Sequence, residues 1–509
     1  PFKDDYVADY YFGLMPAGYK ATYFTVSQFI HPRIFSKILP YVLLFLTLLI
    51  TTLSSYKLAG AFAGFATLAL GLSGSEYILD LTAGGIPRSF KFLPLSIAIY
   101  ALITKRPYWL AIVTIVSAGF YPPVAIISGA TLALYLLFPL KLGGLEASWP
   151  INKRIFIIGI TALLSIAILS PNLISLATYG TKINAYNPAQ MKIFPERLDR
   201  QPLSLPARKV SLQAIGSRSF KSIKSALHAS ERNMYFDYFS KKSKARDAGI
   251  ILLMLLTLAG AIKLWLSYDS ARRLLIFLFS LYTCAFISLA LYPLVYYPSR
   301  YLDSSLFLLM LVLVPASAGA VFSFIYAKAG WQSSRKMNFE ILLSVVLVIL
   351  LFGNKGPIRS GLLVTVPQED APVYDFIRSL PPQTVIAGWP KDGVIKNIPY
   401  LTNRRVLLSR ETHLCFHEKY ALEMRHRWEL IVSSYFTPES TSTRKMVQEY
   451  GVTHMLIRKE YIDLQTKPVY FSAFASDIKQ FMRKIELSGE AVVFENHKYI
   501  ILALDQYLH

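Results

Sequence analysis

Ten apolar runs, near residues 38–56, 57–73, 90–104, 107–121, 122–140, 154–176, 248–267, 272–294, 303–328 and 339–356, constrain this chain more than any other feature. A run of roughly 20 apolar residues can close all its backbone hydrogen bonds as a helix and cross the hydrocarbon of a bilayer. The runs at 90–104 and 107–121 are short for a crossing, so a re-entrant hairpin fits them as well, although Lys105 and Arg106 between them argue that the turn reaches water. With 54% hydrophobic and 17% charged residues, the composition excludes an ordinary water-soluble globular protein and predicts a polytopic α-helical membrane protein.

The formal charge of +22 points to anionic partners. In a membrane chain these are lipid headgroups or lipid-linked phosphates before nucleic acid. Short connections holding Lys57, Lys105, Arg106, Lys141, Lys153, Arg154, Lys263, Arg272, Arg273, Lys328, Arg335 and Lys336 are richer in cations than those holding Lys20, Arg33, Lys37, Arg88, Lys91, Arg300, Lys355 and Arg359. The richer set is expected on the cytoplasmic side. An even number of spans then places both ends outside: residues 1–37 as an acidic exoplasmic loop, 38–356 as the transmembrane domain, and 357–509 as a soluble exoplasmic domain. A signal-anchor or first transmembrane helix ahead of Pro1 would set this orientation, and the location expected is the plasma (inner) membrane, with the C-terminal domain exoplasmic or periplasmic.

A long basic exoplasmic loop, 177–247, is broken by Pro188, Pro195, Pro202 and Pro206. Within it, 219–242 alternates Ile223, Leu227, Met234 and Tyr235 with Lys221, Lys224 and Arg232, as in a helix lying in the headgroup region. After Gly361 the pattern becomes that of a small α/β domain. Helices are expected at 369–379, 417–435, 439–449 and 472–487, strands at 384–389, 405–409 and 453–458, and a closing strand pair turned at His497.

Four clusters carry possible chemistry. The start, PFKDDYVADYY, sets Asp4, Asp5 and Asp9 among aromatics; a carboxylate at a membrane surface can act as general base towards an acceptor hydroxyl, and a second can orient it or hold a metal. The segment 74–90, GSEYILDLTAGGIPRSF, spaces Glu76 and Asp80 by four, then gives Gly84, Gly85 and Arg88, a flexible turn with a guanidinium suited to phosphate. In YPLVYYPSRYLDSS, Arg300 beside Tyr301 is an expensive charge just before an apolar run. In ETHLCFHEKY, His413 and His417 are four apart with Cys415 and Glu418 nearby, but without the HExxH order or a further ligand, so they are read as surface or packing residues. The other cysteine, Cys284, lies in an apolar run, and no disulfide framework is expected. Walker, GxGxxG, GxSxG and paired CxxC patterns are missing, so no nucleotide cofactor and no serine hydrolysis is expected.

An acidic first loop, a second acidic loop, short early spans, an Arg-Tyr pair before a late span and an exoplasmic α/β tail resemble the GT-C superfamily of membrane glycosyltransferases. That superfamily includes protein mannosyltransferases, aminoarabinose transferases and the catalytic subunit of oligosaccharyltransferase. In the tail, VIAGWP, IPYLTNRRVLLS and YGVTHMLI are similar to family segments. The resemblance implies a polyprenyl-phosphate-linked sugar donor and an exoplasmic acceptor, whether glycan, lipid or protein. It implies Asp4 or Asp5 as the catalytic base or metal-site residue and Arg300 and Tyr301 as the residues that hold the donor phosphate, while Asp9, Glu76, Asp80 and Arg88 are expected to bind substrate from their own pattern. Glu76 and Asp80 form ExxxD where oligosaccharyltransferases carry DxD, so no metal ligand is assigned, although a divalent cation is compatible with the pattern. Membrane lipids and a membrane protein complex are the further partners, and a non-catalytic scaffold of the same architecture is the alternative.

Overall fold

The computed structural model describes residues 5–137, 149–183, 187–197, 259–291, 299–329, 339–342, 344, 366–487 and 489–507. In chain order the helices used below are α1 (Tyr6–Leu14), α2 (Ala17–Ser27), α3 (Pro32–Ala59), α4 (Ala61–Ser73), α5 (Ser75–Thr82), α6 (Phe92–Ile103), α7 (Pro107–Phe120), α8 (Pro122–Leu137), α9 (Ile151–Ala177), α10 (Pro188–Ile193), α11 (Asp269–Leu291), α12 (Ser299–Lys328), α13 (Ala371–Ser379), α14 (Gly393–Thr402), α15 (Glu418–Tyr435), α16 (Thr441–Tyr450) and α17 (Ala475–Phe481). The strands are β1 (Val385–Gly388), β2 (Arg405–Val406), β3 (Val452–Arg458), β4 (Val492–Glu495) and β5 (Tyr499–Ala503). Two compact units result, one of Pro1–Leu14, Leu173–Ala207 and Val364–His509, the other of Met15–Asn172 and Arg208–Leu363. This grouping differs from the chain-order division 1–37, 38–356 and 357–509, because the aromatic residues of α1 belong to the core of the sheet-bearing unit.

The larger unit is helical. Among the described residues, Pro32–Ala59, Ile151–Ala177, Asp269–Ser288 and Arg300–Lys328 are long and apolar enough to cross a membrane, and Ala61–Ser73 with Ser75–Gly85, bent by 57°, make a fifth if taken as one span. Pro107–Phe120 and Pro122–Leu137 are shorter apolar helices. The expected runs at 248–267 and 339–356 lie mostly outside the described residues. The outer faces show why these helices suit lipid: on α3, Ile38, Tyr41, Val42, Phe45, Leu49 and Leu53 are exposed, while Thr47, Thr51, Ser54 and Ser55 are buried. This reverses the soluble pattern. Inside the unit the Ser55 hydroxyl donates to the Val312 carbonyl at 3.2 Å and the Thr67 hydroxyl to Ser55 at 2.7 Å, joining α3, α4 and α12. Gly319 lets α12 approach the α3–α4 corner, since a Cβ there would stand 3.0 Å from the Ala59 carbonyl oxygen. The buried Arg273 of α11 donates at 2.7 Å to the carbonyls of Leu102 and Ile103, satisfying the end of α6.

The sheet of the smaller unit runs β2-β1-β3-β5-β4. Strands β2, β1 and β3 are parallel, and β5 runs antiparallel to both of its neighbours, β3 and β4, with Val385 opposite Arg405 and Met455 opposite Leu502. Period-two alternation sends Val385, Ala387, Met455, Ile457, Ile500 and Leu502 to a face packed on Trp389, Trp428 and Tyr435. Ile386, Leu456, Tyr499 and Ile501 point to the other face, covered by Val373 and Ile377 of α13 and Val394, Ile395 and Ile398 of α14. Burial on both faces is why the central strands read as continuous apolar runs. Expected elements match closely, with three departures. Helix α14 escaped the periodicity because Pro399 interrupts it, strand β2 is only two residues long, and α17 stops at Phe481, where Met482 turns extended.

Candidate functional site

In the helical unit, three apolar helices begin near one another. Arg300 lies in the first turn of α12, Tyr121 immediately precedes α8, and Lys91 immediately precedes α6 at the end of a 3-10 turn, Pro87–Lys91. The Arg300 guanidinium reaches to 3.5 Å from the Tyr121 hydroxyl, at the limit of a hydrogen bond. Lys91 is charge-coupled to Arg88, Asp303 and Arg300. Its ammonium group is held down at about 8, first by burial and next by repulsion from Arg88, with Asp303 opposing and Arg300 adding to the depression. Lys91 thus sits where cations outweigh the neighbouring carboxylate and where helix N-termini add partial positive charge.

Arg88 and Arg300 are exposed, as their proposed contact with an anion requires. Tyr301 is enclosed in the apolar core of the unit, only 1% exposed, so its ring is a packing element. Glu76 and Asp80 lie on the exposed face of α5, opposite buried Ile78, Leu79 and Thr82, in agreement with their spacing of four. The Gly84-Gly85 turn is explained by packing: Gly85 has φ +58°, and a Cβ there would fall 2.4 Å from the Tyr23 hydroxyl and 3.1 Å from the Ser36 Cα. The Tyr23 hydroxyl donates to the Gly85 carbonyl at 2.8 Å. Lys91 was counted only for topology, and Asp303 and Tyr121 were given no role from the sequence; SRYLD contained Asp303 at i+3 from Arg300, which was the available signal.

In the sheet-bearing unit, the acidic start is a helix. Asp5 caps α1: its Oδ1 accepts from the backbone N–H of Val7 at 3.0 Å and of Ala8 at 2.9 Å. Asp9 is exposed one turn later, and Asp4 lies outside the described residues. The opposite face of α1 is aromatic. Tyr10 is fully buried, stacks on Tyr420 with centroids 3.6 Å apart and shares a 2.9 Å hydrogen bond with His417 Nδ1. Replacing Asp5 by Ala is expected to cost about 1 kcal/mol of stability in this unit, whereas Asp5→Asn, an equivalent cap, leaves thermal unfolding unchanged. Differential scanning fluorimetry of the purified protein checks both.

The histidines of ETHLCFHEKY separate. His417 pairs with Tyr10, and burial holds it near 4, so it is neutral. His413 and Cys415 instead face Glu196, and all three are fully buried. Glu196 is the ligand-type residue that sequence reasoning missed, because a single carboxylate in a basic loop carries no spacing to mark it.

The described residues thus form a mostly helical protein with lipid-facing apolar helices and a five-stranded α/β unit. Among solved structures, the chain is similar to the crystal structure of the oligosaccharyltransferase of Archaeoglobus fulgidus in complex with zinc and sulfate, at 12% sequence identity and a TM-score of 0.42, over 89% of this chain and 58% of that one. The chain therefore spans little more than half the length of that protein. No protein-family model and no curated protein sequence matches it.

Proposed function

We propose that this protein is a membrane glycosyltransferase of the GT-C type, which moves a sugar from a polyprenyl-phosphate donor to a hydroxyl or amide acceptor on the exoplasmic side. The observation that carries this reading is the meeting of Arg88, Lys91 and Arg300 at the start of three apolar helices. A lipid-linked sugar keeps its tail in hydrocarbon and its anionic phosphate at the headgroup plane, so its enzyme needs cations where apolar helices begin. During transfer the acceptor atom bonds to the anomeric carbon as the bond from that carbon to the phosphate oxygen breaks. The polyprenyl phosphate leaves carrying the electron pair, and Arg88, Lys91 and Arg300 stabilise its growing charge. The acceptor proton passes to a carboxylate, a role that the family resemblance implies for Asp4 or Asp5.

Transfer from a synthetic polyprenyl-phosphate sugar by protein purified in detergent tests this function. Activity of the wild type and its loss in Arg88→Gln/Arg300→Gln are expected; undiminished transfer by that double variant overturns the phosphate assignment. Asp4→Asn and Asp5→Asn, assayed singly, test the base, because Asn keeps the α1 cap and removes the charge. The cap itself favours a second reading, a non-catalytic subunit whose acidic start is purely structural. Wild-type protein that binds polyprenyl phosphate without transferring sugar, and copurifies with a stoichiometric partner, would support it.

Lys91 makes the first step pH-dependent. Its charged form is the one that binds an anion, and it is held with a value near 8 in the unliganded protein. An incoming phosphate raises that value, so binding takes up a proton above about 8. Affinity for polyprenyl phosphate, a monoester whose second proton leaves near pH 6, is therefore expected to be level between about pH 7 and 8 and to fall as pH rises further. Lys91→Arg should extend the plateau to higher pH, because guanidinium stays protonated. Titration with a fluorescent polyprenyl phosphate at several pH values gives the comparison.

A further inference from the structure

Apart from the phosphate site, the sheet-bearing unit holds a buried trio with mixed metal-binding chemistry. Glu196 follows α10, while His413 and Cys415 lie on the segment leading into α15. One ligand atom from each lies within 4.8 Å of the other two, and none of the three residues has measurable exposure. His413 Nε2 is 3.8 Å from Glu196 Oε1. We infer that Glu196, His413 and Cys415 form a zinc site that fastens the α10 segment to the segment ahead of α15.

The donor set selects the metal. Magnesium and calcium require oxygen ligands, whereas carboxylate, imidazole and thiolate together suit zinc, which accepts all three. Bonds of about 2.0–2.3 Å in a tetrahedron put ligand atoms roughly 3.3–3.8 Å apart. A nitrogen–oxygen pair belongs at the short end of that range, so the 3.8 Å between His413 and Glu196 closes by about half an ångström, and the Cys415 thiol, within 4.8 Å of both, moves in by roughly 1.3 Å at most. Three protein ligands leave a fourth position for water.

The surroundings hold each ligand in a usable form. His413 Nδ1 is 2.6 Å from the Tyr470 hydroxyl, which fixes the ring and turns Nε2 towards Glu196. Arg425 donates to both Glu196 oxygens, at 2.7 and 2.8 Å, and keeps the carboxylate ionised. The Arg197 guanidinium lies 4.7 Å from the ring centroid of Phe416, the residue that follows Cys415. On binding, the thiol proton leaves to solvent and the sulfur bonds to zinc. Arg425 sets a limit as well: with Glu196 already neutralised, a divalent ion and one thiolate add a single net positive charge, so the thiolate is indispensable to the site. A backbone ladder joins the same two regions, with Ile183 N–H donating to the Phe416 carbonyl and Glu418 N–H to Thr181, each at 3.0 Å. The metal would be a second tie across a junction that is already closed.

Cobalt(II) and zinc serve as probes on the full chain purified in detergent. The wild type should bind one equivalent of cobalt with a thiolate-to-cobalt charge-transfer band in the near ultraviolet. That band should survive Cys284→Ser, the only other cysteine, and vanish in Cys415→Ser. X-ray absorption of the zinc-loaded wild type, which needs no variant to fold, should show one sulfur at about 2.3 Å. A wild type with no charge-transfer band, or zinc bound without sulfur, overturns the site. A band that persists in Cys415→Ser and vanishes in Cys284→Ser also overturns it, by moving the metal to the other thiol.

Discussion

Arg300→Gln should weaken binding of polyprenyl phosphate by roughly ten- to a hundredfold and leave the unfolding temperature in place. The side chain is exposed at the start of α12, so its removal leaves no cavity. What is lost is a charge-assisted contact worth about 1.5–3 kcal/mol, at about 1.4 kcal/mol per tenfold in affinity. Arg300→Lys should recover only part, because an ammonium group keeps the charge and loses the planar fork that grips two phosphate oxygens. Fluorescence titration with a labelled polyprenyl phosphate measures both. An Arg300→Gln protein with wild-type affinity would remove Arg300 from the phosphate site and leave Arg88 and Lys91 to account for it.

Tyr10→Ala should be the most damaging change in the amino-terminal stretch, costing about 3–5 kcal/mol of stability. It deletes a fully buried ring that stacks on Tyr420, meets Tyr179 edge-on at 4.8 Å and bonds to His417. Tyr10→Phe keeps the ring and drops the hydroxyl, which should cost about 1–2 kcal/mol through the loss of the His417 contact. Chemical denaturation followed by proteolysis of the sheet-bearing unit separates the two variants. If Tyr10→Ala unfolds like the wild type, α1 does not belong to the core of that unit.

These two expectations mark how far the sequence could be read. The apolar runs were visible because a bilayer demands length and continuity, and the strands and helices after residue 366 were visible because their periods match the burial found. The acidic start was the harder case. Three carboxylates among aromatics suggested chemistry, yet Asp5 is bound to the first turn of α1 and the tyrosines on the other face are core residues. A list of residues cannot say which face of a short helix is buried when both faces carry striking side chains.

The sites divide in the same way. Arg300 was legible because a charge before an apolar run is costly by itself. Its neighbours Lys91 and Tyr121 come from helices far away in the chain, and only packing brings three helix starts together. Likewise, His413 and Cys415 had been read as packing residues for want of a further ligand, and Glu196 supplies one from beyond any spacing rule. The sequence alone determined that this chain has membrane-crossing apolar helices and a small α/β unit, because hydrophobic length and periodicity are local properties. Which charges meet, and which of them are already engaged, was decided by tertiary structure, because electrostatic coupling depends on distance through space and on burial, neither of which is written along the chain.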